Sequence, residues 1–314
     1  MSNEMQISII IPFYGDPTPV LELINLIQDD VGEVAEIIVS DDCSPRPFPQ
    51  VRGVRVVRRQ KNSGFAAAVN AGVKEAKGDL LLVLNSDIEI DPGFIKRLVG
   101  AATPWLPAVV SVPVLTKDGA QSWSGRKFPR TSHYVVEWLL PLVRMRHHRW
   151  LHEAVGHDTM ADGSRDEVVD WAMGALLLIP TSVFRSVQGL DEGFYMYCEE
   201  VDFQRRLRRI GIPSVILKDL FVTHEGGGSS PSQRRRGWLL DGRRRYERKW
   251  RGALGLKRFE RLMLGASVIN FGWNTARFIV GSRVDPLETW REQRELILRP
   301  EQWVDPSNRA DVPQ

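Results

Sequence analysis

The chain has 314 residues, enough for one large domain or two ordinary ones, and its balance of 43% hydrophobic and 26% charged residues excludes wholesale disorder. A net charge of +3 gives no bulk reason to expect a nucleic-acid partner. Two distant cysteines, Cys43 and Cys198, exclude a disulfide framework and a cysteine zinc site and suit a reducing cytosol.

In chain order, "MSNEMQISIIIPFYG" has no basic region ahead of its apolar run, and the run is too short for a signal peptide, so no secretion is expected. "ISIIIPF" (7–13) reads as a buried strand and "PVLELINLIQD" (19–29) as a helix. "EIIVSDD" (36–42) is a second buried strand, and "VRVVRR" (54–59) a third, more exposed one. "GFAAAVNAGVKEA" (64–76) is an alanine-rich helix stopping near Gly78, and "DLLLVLNSD" (79–87) is a fourth strand. Such alternation predicts an α/β fold, with a mostly parallel sheet flanked by helices. Ligands of open sheets of this kind bind beyond the carboxyl ends of the strands.

Two strands deliver acids to that end: "DD" at 41–42 and "NSD" at 85–87. Taken alone, Asp41 and Asp42 in "DDCSP" read as turn formers, and Asp87 is equally a turn or cap residue. Two acidic strand ends in one sheet favour a shared crevice. Further on, "DWAMGALLLIP" (170–180) contains a strand. "YCEEVDFQRRL" (197–207) opens a helix with acids in its first turn, an arrangement the helix dipole favours by itself. "SVILKDLFV" (214–222) is a strand leading to His224.

The segments "IIIPFYG", "VSDDCS", "NSGFAAAVNAG", "LNSDI", "WAMGALLLIP", "GLDEGFYMYCEEVDFQRRLRRIG" and "VTHEGGGSS" occur in that order across roughly residues 7 to 230. Together they resemble family 2 glycosyltransferases of the GT-A fold, in particular the bacterial rhamnosyltransferase-like branch. The resemblance implies a Rossmann-like, mostly parallel sheet and an inverting, metal-dependent sugar transfer from a nucleotide-diphosphate donor. It aligns Asp87 with the last acid of a DXD motif, with Asn85 replacing the first acid and Ser86 between them. It aligns His224 with a second ligand of a divalent metal, Mg or Mn; the alternative for His224 is a hydrogen-bonded histidine at a strand end. Glu200 aligns with the catalytic aspartate of a Glu-Asp-x-Asp pattern, one methylene longer here, and is the expected general base. Glu199 and Asp202 fit capping or acceptor-orienting roles.

On the donor side the resemblance implies Pro12 and Tyr14 at the end of the first strand. Asp42 would accept a hydrogen bond from a pyrimidine, with Asp41 beside it or turned to the core. Asn62 and Gly64 stand on the loop opening a helix, where free N–H groups can face the donor. Asn70 lies inside that helix, as a donor contact or an ordinary buried polar one. Trp171 and Gly174 would line the sugar and acceptor side, a core tryptophan being the competing reading.

Residues 234–261 are densely basic with interleaved aromatics, and 262–281, "LMLGASVINFGWNTARFIVG", are apolar but interrupted by Asn270, Asn274 and Arg277. The second segment is too polar for a spanning helix and fits one lying in a membrane interface or against a partner, including another copy of the chain. "GRKFPR" (125–130) and "RMRHHRWLHE" (144–153) line the acceptor cleft or form a lid. His147, His148, His152 and His157 lack a companion acid or cysteine, and neighbouring arginines oppose a cation there.

The expected organisation is a GT-A catalytic domain over 1–230, with its nucleotide half about 1–115 and its acceptor half about 116–230. A basic, amphipathic helical extension follows over 231–300, then a loosely ordered tail over 301–314. The expected enzyme acts on a glycan or polyprenyl-diphosphate-linked acceptor, in the cytoplasm at the inner face of the membrane, through a membrane surface at 234–281 and without nucleic acid. Two other classes compete. A nucleotidyltransferase would carry a glycine-rich basic loop after its first strand, which "IPFYGDPTP" lacks. A nucleic-acid-binding protein would rest on the basic segment alone and leave the acids without a role.

Overall fold

The computed structural model describes residues 5–31, 35–224 and 232–300. Its elements are β1 (Ile7–Phe13), α1 (Thr18–Val31), β2 (Ala35–Asp41), β3 (Val54–Arg58), α2 (Phe65–Glu75), β4 (Leu80–Leu84), β5 (Ile88–Glu89), α3 (Phe94–Ala102), β6 (Val109–Ser111), β7 (Val114–Leu115) and β8 (Gly125–Arg126). Then come α4 (Thr131–Trp138), α5 (Arg149–Ala154), β9 (Glu167–Val169), β10 (Trp171–Ala172), β11 (Leu176–Pro180), α6 (Thr181–Ser186), α7 (Glu199–Arg209), β12 (Ser214–Ile216), β13 (Val222–His224), α8 (Ser232–Ile279) and α9 (Pro286–Leu298). The landmark residues 225–230 and the tail 301–314 lie outside the described residues.

Among the described residues the chain forms two compact units. One comprises Met1–Phe128 and Asp158–Ser229, the other Pro129–His157 and Ser230–Gln314. The segment 129–157 therefore groups with the C-terminal helices.

In the first unit eight strands run in the order β3-β2-β1-β4-β11-β6-β12-β9. β3, β2, β1 and β4 are parallel, β11 is antiparallel to β4, and β6 and β12 are parallel again. β1 and β4 are buried along their whole length, as continuous apolar runs require when helices cover both faces. Alternate residues of β1 serve opposite faces. Ile9 and Ile11 join the core packed by α1 and α3, whereas Ile10 joins the core packed by α2, α6 and α7. Each such aliphatic side chain contributes about 1.5–3 kcal/mol on burial. A Cβ at Gly72 would stand 2.7 Å from Ile10 Cγ2, so glycine lets α2 lie close on the sheet.

A small second sheet, β5-β13-β7, forms beyond the end of β4. In the second unit Tyr134, Leu240, Phe259, Met263, Leu296 and Ile297 make a separate core. Within it α8 breaks at Gly252, where φ is +68°.

Candidate active site

The carboxyl end of β4 carries Asn85, Ser86 and Asp87. β5 follows at once and pairs with β13, setting His224 opposite Ile88. That cross-strand register brings His224 Nε2 to 2.9 Å from Asp87 Oδ1, with Asn85 Nδ2 3.5 Å from the same nitrogen. Asn85 Oδ1 is buried and has no hydrogen-bond partner. Carboxylate oxygen and imidazole nitrogen thus meet, with the Asn85 amide, whose oxygen has no partner, beside them. This donor set fits a divalent cation that takes its remaining ligands from a diphosphate and water. Among the described residues no group of three or more His, Cys, Asp or Glu side chains could cage a metal. A metal there would displace the proton that His224 shares with Asp87.

At the end of β2 the two neighbouring acids do different work. Asp41 is fully buried and accepts from Ser44 N at 2.7 Å, from Phe48 N at 3.1 Å and from the Arg58 guanidinium. It is a loop clamp turned into the protein. Asp42 accepts from Gly64 N at 2.7 Å and Ser63 N at 3.0 Å, with Arg59 Nε at 3.4 Å. It fastens the 62–64 loop beside the end of β1, where Pro12 is buried and Tyr14 is exposed. Gly64 has φ +92°, and a Cβ there would fall 1.8 Å from Tyr195 O. Phe65 N donates to that same carbonyl, and the Tyr195 hydroxyl donates to Asn62 Oδ1 at 2.9 Å. The donor-side loop is thereby interlocked with the segment leading into α7.

That segment enters α7 through Tyr197 and Cys198, both at φ +69°. Two consecutive non-glycine residues in the left-handed region store backbone strain, and the turn they make aims Glu199 and Glu200 inward. Glu199 is buried, and its Oε2 has no hydrogen-bond partner. Burial, and then the charge of Glu200, holds its carboxyl well above the usual range, which favours the neutral acid. Glu200 is partly buried, and its Oε2 is likewise without a hydrogen-bond partner. Burial raises its carboxyl as well, against the pull of the first-turn N–H groups and the Arg126 charge. A carboxylate of raised basicity with one oxygen left without a hydrogen-bond partner is suited to accept a proton.

Glu200 packs on the turn after β10. A Cβ at Gly174 would meet its Cβ and Cγ at 3.4 Å. The next residue, Ala175, accepts from Asn85 N at 2.9 Å. The carboxylate of α7 and the Asp87–His224 pair therefore flank adjacent strands, β11 and β4, at one end of the sheet.

Four residues expected at the site also have structural engagements. Asn70 clasps the 190–192 loop, bonding Leu190 N and O at 3.0 and 2.8 Å and Glu192 at 3.1 Å. Asp202 is fully buried and paired with Arg206 at 2.9 Å, which in turn holds Gly189 O at 2.7 Å. Trp171 is buried, with its indole N–H on Lys127 O at 3.0 Å and its ring 5.5 Å from the Arg126 guanidinium. Asp41 is the fourth. Ser86 is partly buried between the two ends of the Asn85–Asp87 group.

Gln204 is not marked by the sequence, whereas Arg126 belongs to the 125–130 segment expected to line the acceptor cleft or form a lid. Gln204 bonds both Ala172 N and Ala172 O at 2.7 Å and so attaches β10 to α7 like a short strand. The Arg126 charge acts on the Glu200 carboxyl. Gln204 carries no motif; its one available signal is a polar side chain on the buried face of an amphipathic helix. In the second unit His152 Nδ1 and His157 Nδ1 stand 3.0 Å apart.

Residues 8–170 match the family described as Glycosyl transferase family 2. An N-acetylglucosaminyl-diphospho-decaprenol L-rhamnosyltransferase of Mycobacterium tuberculosis is 29% identical over 62% of this chain and 67% of its own length. Rhamnosyltransferase WbbL of Escherichia coli is 31% identical over 48% of this chain and 54% of its own. Among solved structures, GalNAc-T7 with UDP, GalNAc and Mn2+ superposes with a TM-score of 0.52 at 16% identity, covering 74% of this chain and 47% of that one. The shared architecture is the GT-A fold.

Proposed function

The chain belongs to glycosyl transferase family 2, and from that premise we propose that it moves a hexosyl group, of the rhamnose kind, from a nucleotide-diphosphate sugar to a hydroxyl of a polyprenyl-diphosphate-linked glycan. The observation that carries this reading is the meeting of Asp87 and His224, with the Asn85 amide beside them, at the end of β4, next to the turn on which Glu200 rests. Glu200 takes the proton of the acceptor hydroxyl. The acceptor oxygen attacks the anomeric carbon from the face opposite the diphosphate, and the bond from that carbon to the phosphate oxygen breaks. The nucleoside diphosphate leaves with the electron pair, and the anomeric configuration inverts. Asp87, His224 and Asn85 would hold a Mg or Mn ion, which supplies Lewis-acid neutralisation of the leaving diphosphate. Asp42 and the Gly64 loop would take the base, beside Pro12 and Tyr14.

A thermal-shift panel of nucleotide-diphosphate sugars tests this. One donor class is expected to raise the melting temperature with Mn2+ or Mg2+ present and much less without. No response to any donor in either condition overturns the reading.

The second unit supports action at a membrane surface. Beyond Ala266, α8 buries polar side chains and exposes apolar ones. Ser267, Asn270 and Asn274 are buried, and the first two bond Trp138 Nε1 at 2.9 Å and Leu140 N at 2.8 Å. Val268, Ile269, Phe278, Ile279 and Val280 are exposed, Val280 by 83%. Exposed Lys257, Arg258, Arg261 and Arg283 border this face. Among the described residues no helix is long and apolar enough to cross a membrane. The face suits a helix lying in the interface of an anionic bilayer, each well-placed cation adding about 1 kcal/mol.

The basic run at 234–251 contributes less than its composition suggests. Arg243 bonds Glu137 at 2.5 Å, Arg244 bonds Glu260 and Ile297 O, and Arg251 bonds Glu247 and Pro129 O. These three arginines hold the second unit together, and a nucleic-acid reading of the run loses them. Sedimentation with vesicles containing phosphatidylglycerol is expected to carry the protein down, less so as salt rises. Ile279→Asp with Val280→Asp should abolish it. Equal sedimentation of that variant, or binding indifferent to lipid charge, rejects the membrane assignment, and a dimer in light scattering would then mark the face as a contact between copies.

A further inference from the structure

Arg126 occupies a position that the proposed reaction has not used. It lies on β8, which pairs with β10 so that Arg126 stands opposite Trp171. The preceding Gly125 lets the strand lie tight on the sheet, because a Cβ there would come within 2.5 Å of Ala161 Cβ and 2.7 Å of Val169. The guanidinium is held on several sides. It donates to Trp123 O at 3.1 Å and to Ser122 O at 3.3 Å, approaches Met173 Sδ at 3.6 Å and stacks on the Trp171 ring. Met173 and Gly174 form the turn on which Glu200 packs. A fixed cation and a carboxylate thus flank one short stretch of backbone.

We propose that Arg126 is a positioning residue for the acceptor base: its immobilised charge keeps Glu200 in the carboxylate form that takes the acceptor proton. This rests on the assignment of Glu200 given above. The charges around Glu200 are few. β10 and the 173–174 turn bring none. α7 brings Glu199, whose burial favours the neutral acid, Asp202, which is paired with Arg206, and the N–H groups of its first turn. Burial of Glu200 favours the neutral acid, and an acid cannot accept the proton. Arg126 supplies the side-chain charge that opposes burial. Its planar fork suits this task better than a flexible ammonium, because stacking and two carbonyls fix the charge in place.

The sign follows directly. With Arg126 neutralised, burial is opposed by the first-turn N–H groups without the guanidinium charge, Glu200 holds its proton to higher pH, and the acid limb of kcat/KM moves up. Arg126→Gln is expected to shift that limb by about one pH unit, with the rate recovering towards wild type above it. At a fixed pH on the limb this is about a tenfold loss. Arg126→Lys keeps the charge and should hold the limb near its original place. Arg126→Met, whose stem still covers Trp171, is the second neutral variant should Arg126→Gln melt early. A readout independent of turnover is the carboxyl 13C signal of labelled glutamate assigned to Glu200 by its disappearance in Glu200→Gln. Its midpoint should rise by the same amount in the neutral variants. If the rate falls by one factor at every pH and the carboxyl midpoint stays in place, the proposal is overturned. If wild type and Glu200→Gln turn over equally, the base assignment fails, and the carboxyl titration still decides whether Arg126 governs the charge on Glu200.

Discussion

Glu200→Gln lowers turnover by about two to four orders of magnitude, the contribution usual for a positioned general base, while donor affinity changes less than twofold. The amide keeps the shape and the packing against Gly174, where the side-chain stem makes the contact. It removes the lone pair that accepts the acceptor proton. Burial of the carboxylate raises its basicity, so the wild type loses activity as the pH falls through a limb lying above the ordinary carboxylate range, and Glu200→Gln has no such limb. The measurement is kcat and donor Kd for both proteins across pH. Equal losses in donor binding and turnover would make Glu200 a structural or metal-side residue.

Asp87→Ala removes most activity, by about a hundredfold or more if the metal supplies several kcal/mol of charge stabilisation. Nucleoside-diphosphate binding then no longer depends on Mn2+. The reason is local. His224 reaches its position through the β5–β13 pairing, and its imidazole is oriented by Asp87 at 2.9 Å. Loss of the carboxylate takes away one ligand and the partner that orients the other. Calorimetric titration of nucleoside diphosphate with and without Mn2+ reads the effect. Normal turnover that EDTA still abolishes would place the metal elsewhere. His224→Ala combined with Asp87→Ala should cost little more than Asp87→Ala alone, because residues acting as a unit are not additive.

The sequence by itself determined the layers and the end of the sheet where chemistry gathers. Continuous apolar runs at 7–13 and 80–84 are buried on both faces, because helices pack on each side. An acid closing such a run has to emerge at the strand's carboxyl end. The strand-end positions of Asp42 and Asp87 were legible for that reason, whereas Glu200 was singled out by the resemblance, and the order of the motifs pointed to one family.

What each acid does was decided by the tertiary structure. Asp41 and Asp42 are neighbours of like chemistry, yet Asp41 turns inward to clamp its own loop while Asp42 fastens the loop from 62 to 64. Asn70, Asp202 and Trp171 fit the motifs, but contacts far along the chain, at 190–192, Arg206 and Lys127, engage them structurally. Arg126 reaches Glu200's neighbourhood through β8 and β10, two strands 45 residues apart, and local periodicity carries no trace of such a pairing. The second unit joins 129–157 to the C-terminal helices across a long excursion of chain. It turns Arg243, Arg244 and Arg251 of a basic run inward and the apolar side chains near the end of α8 outward. Composition records how many charged and apolar groups a segment has. Their direction follows only from which partner can satisfy a buried charge or hydrogen bond at contact distance.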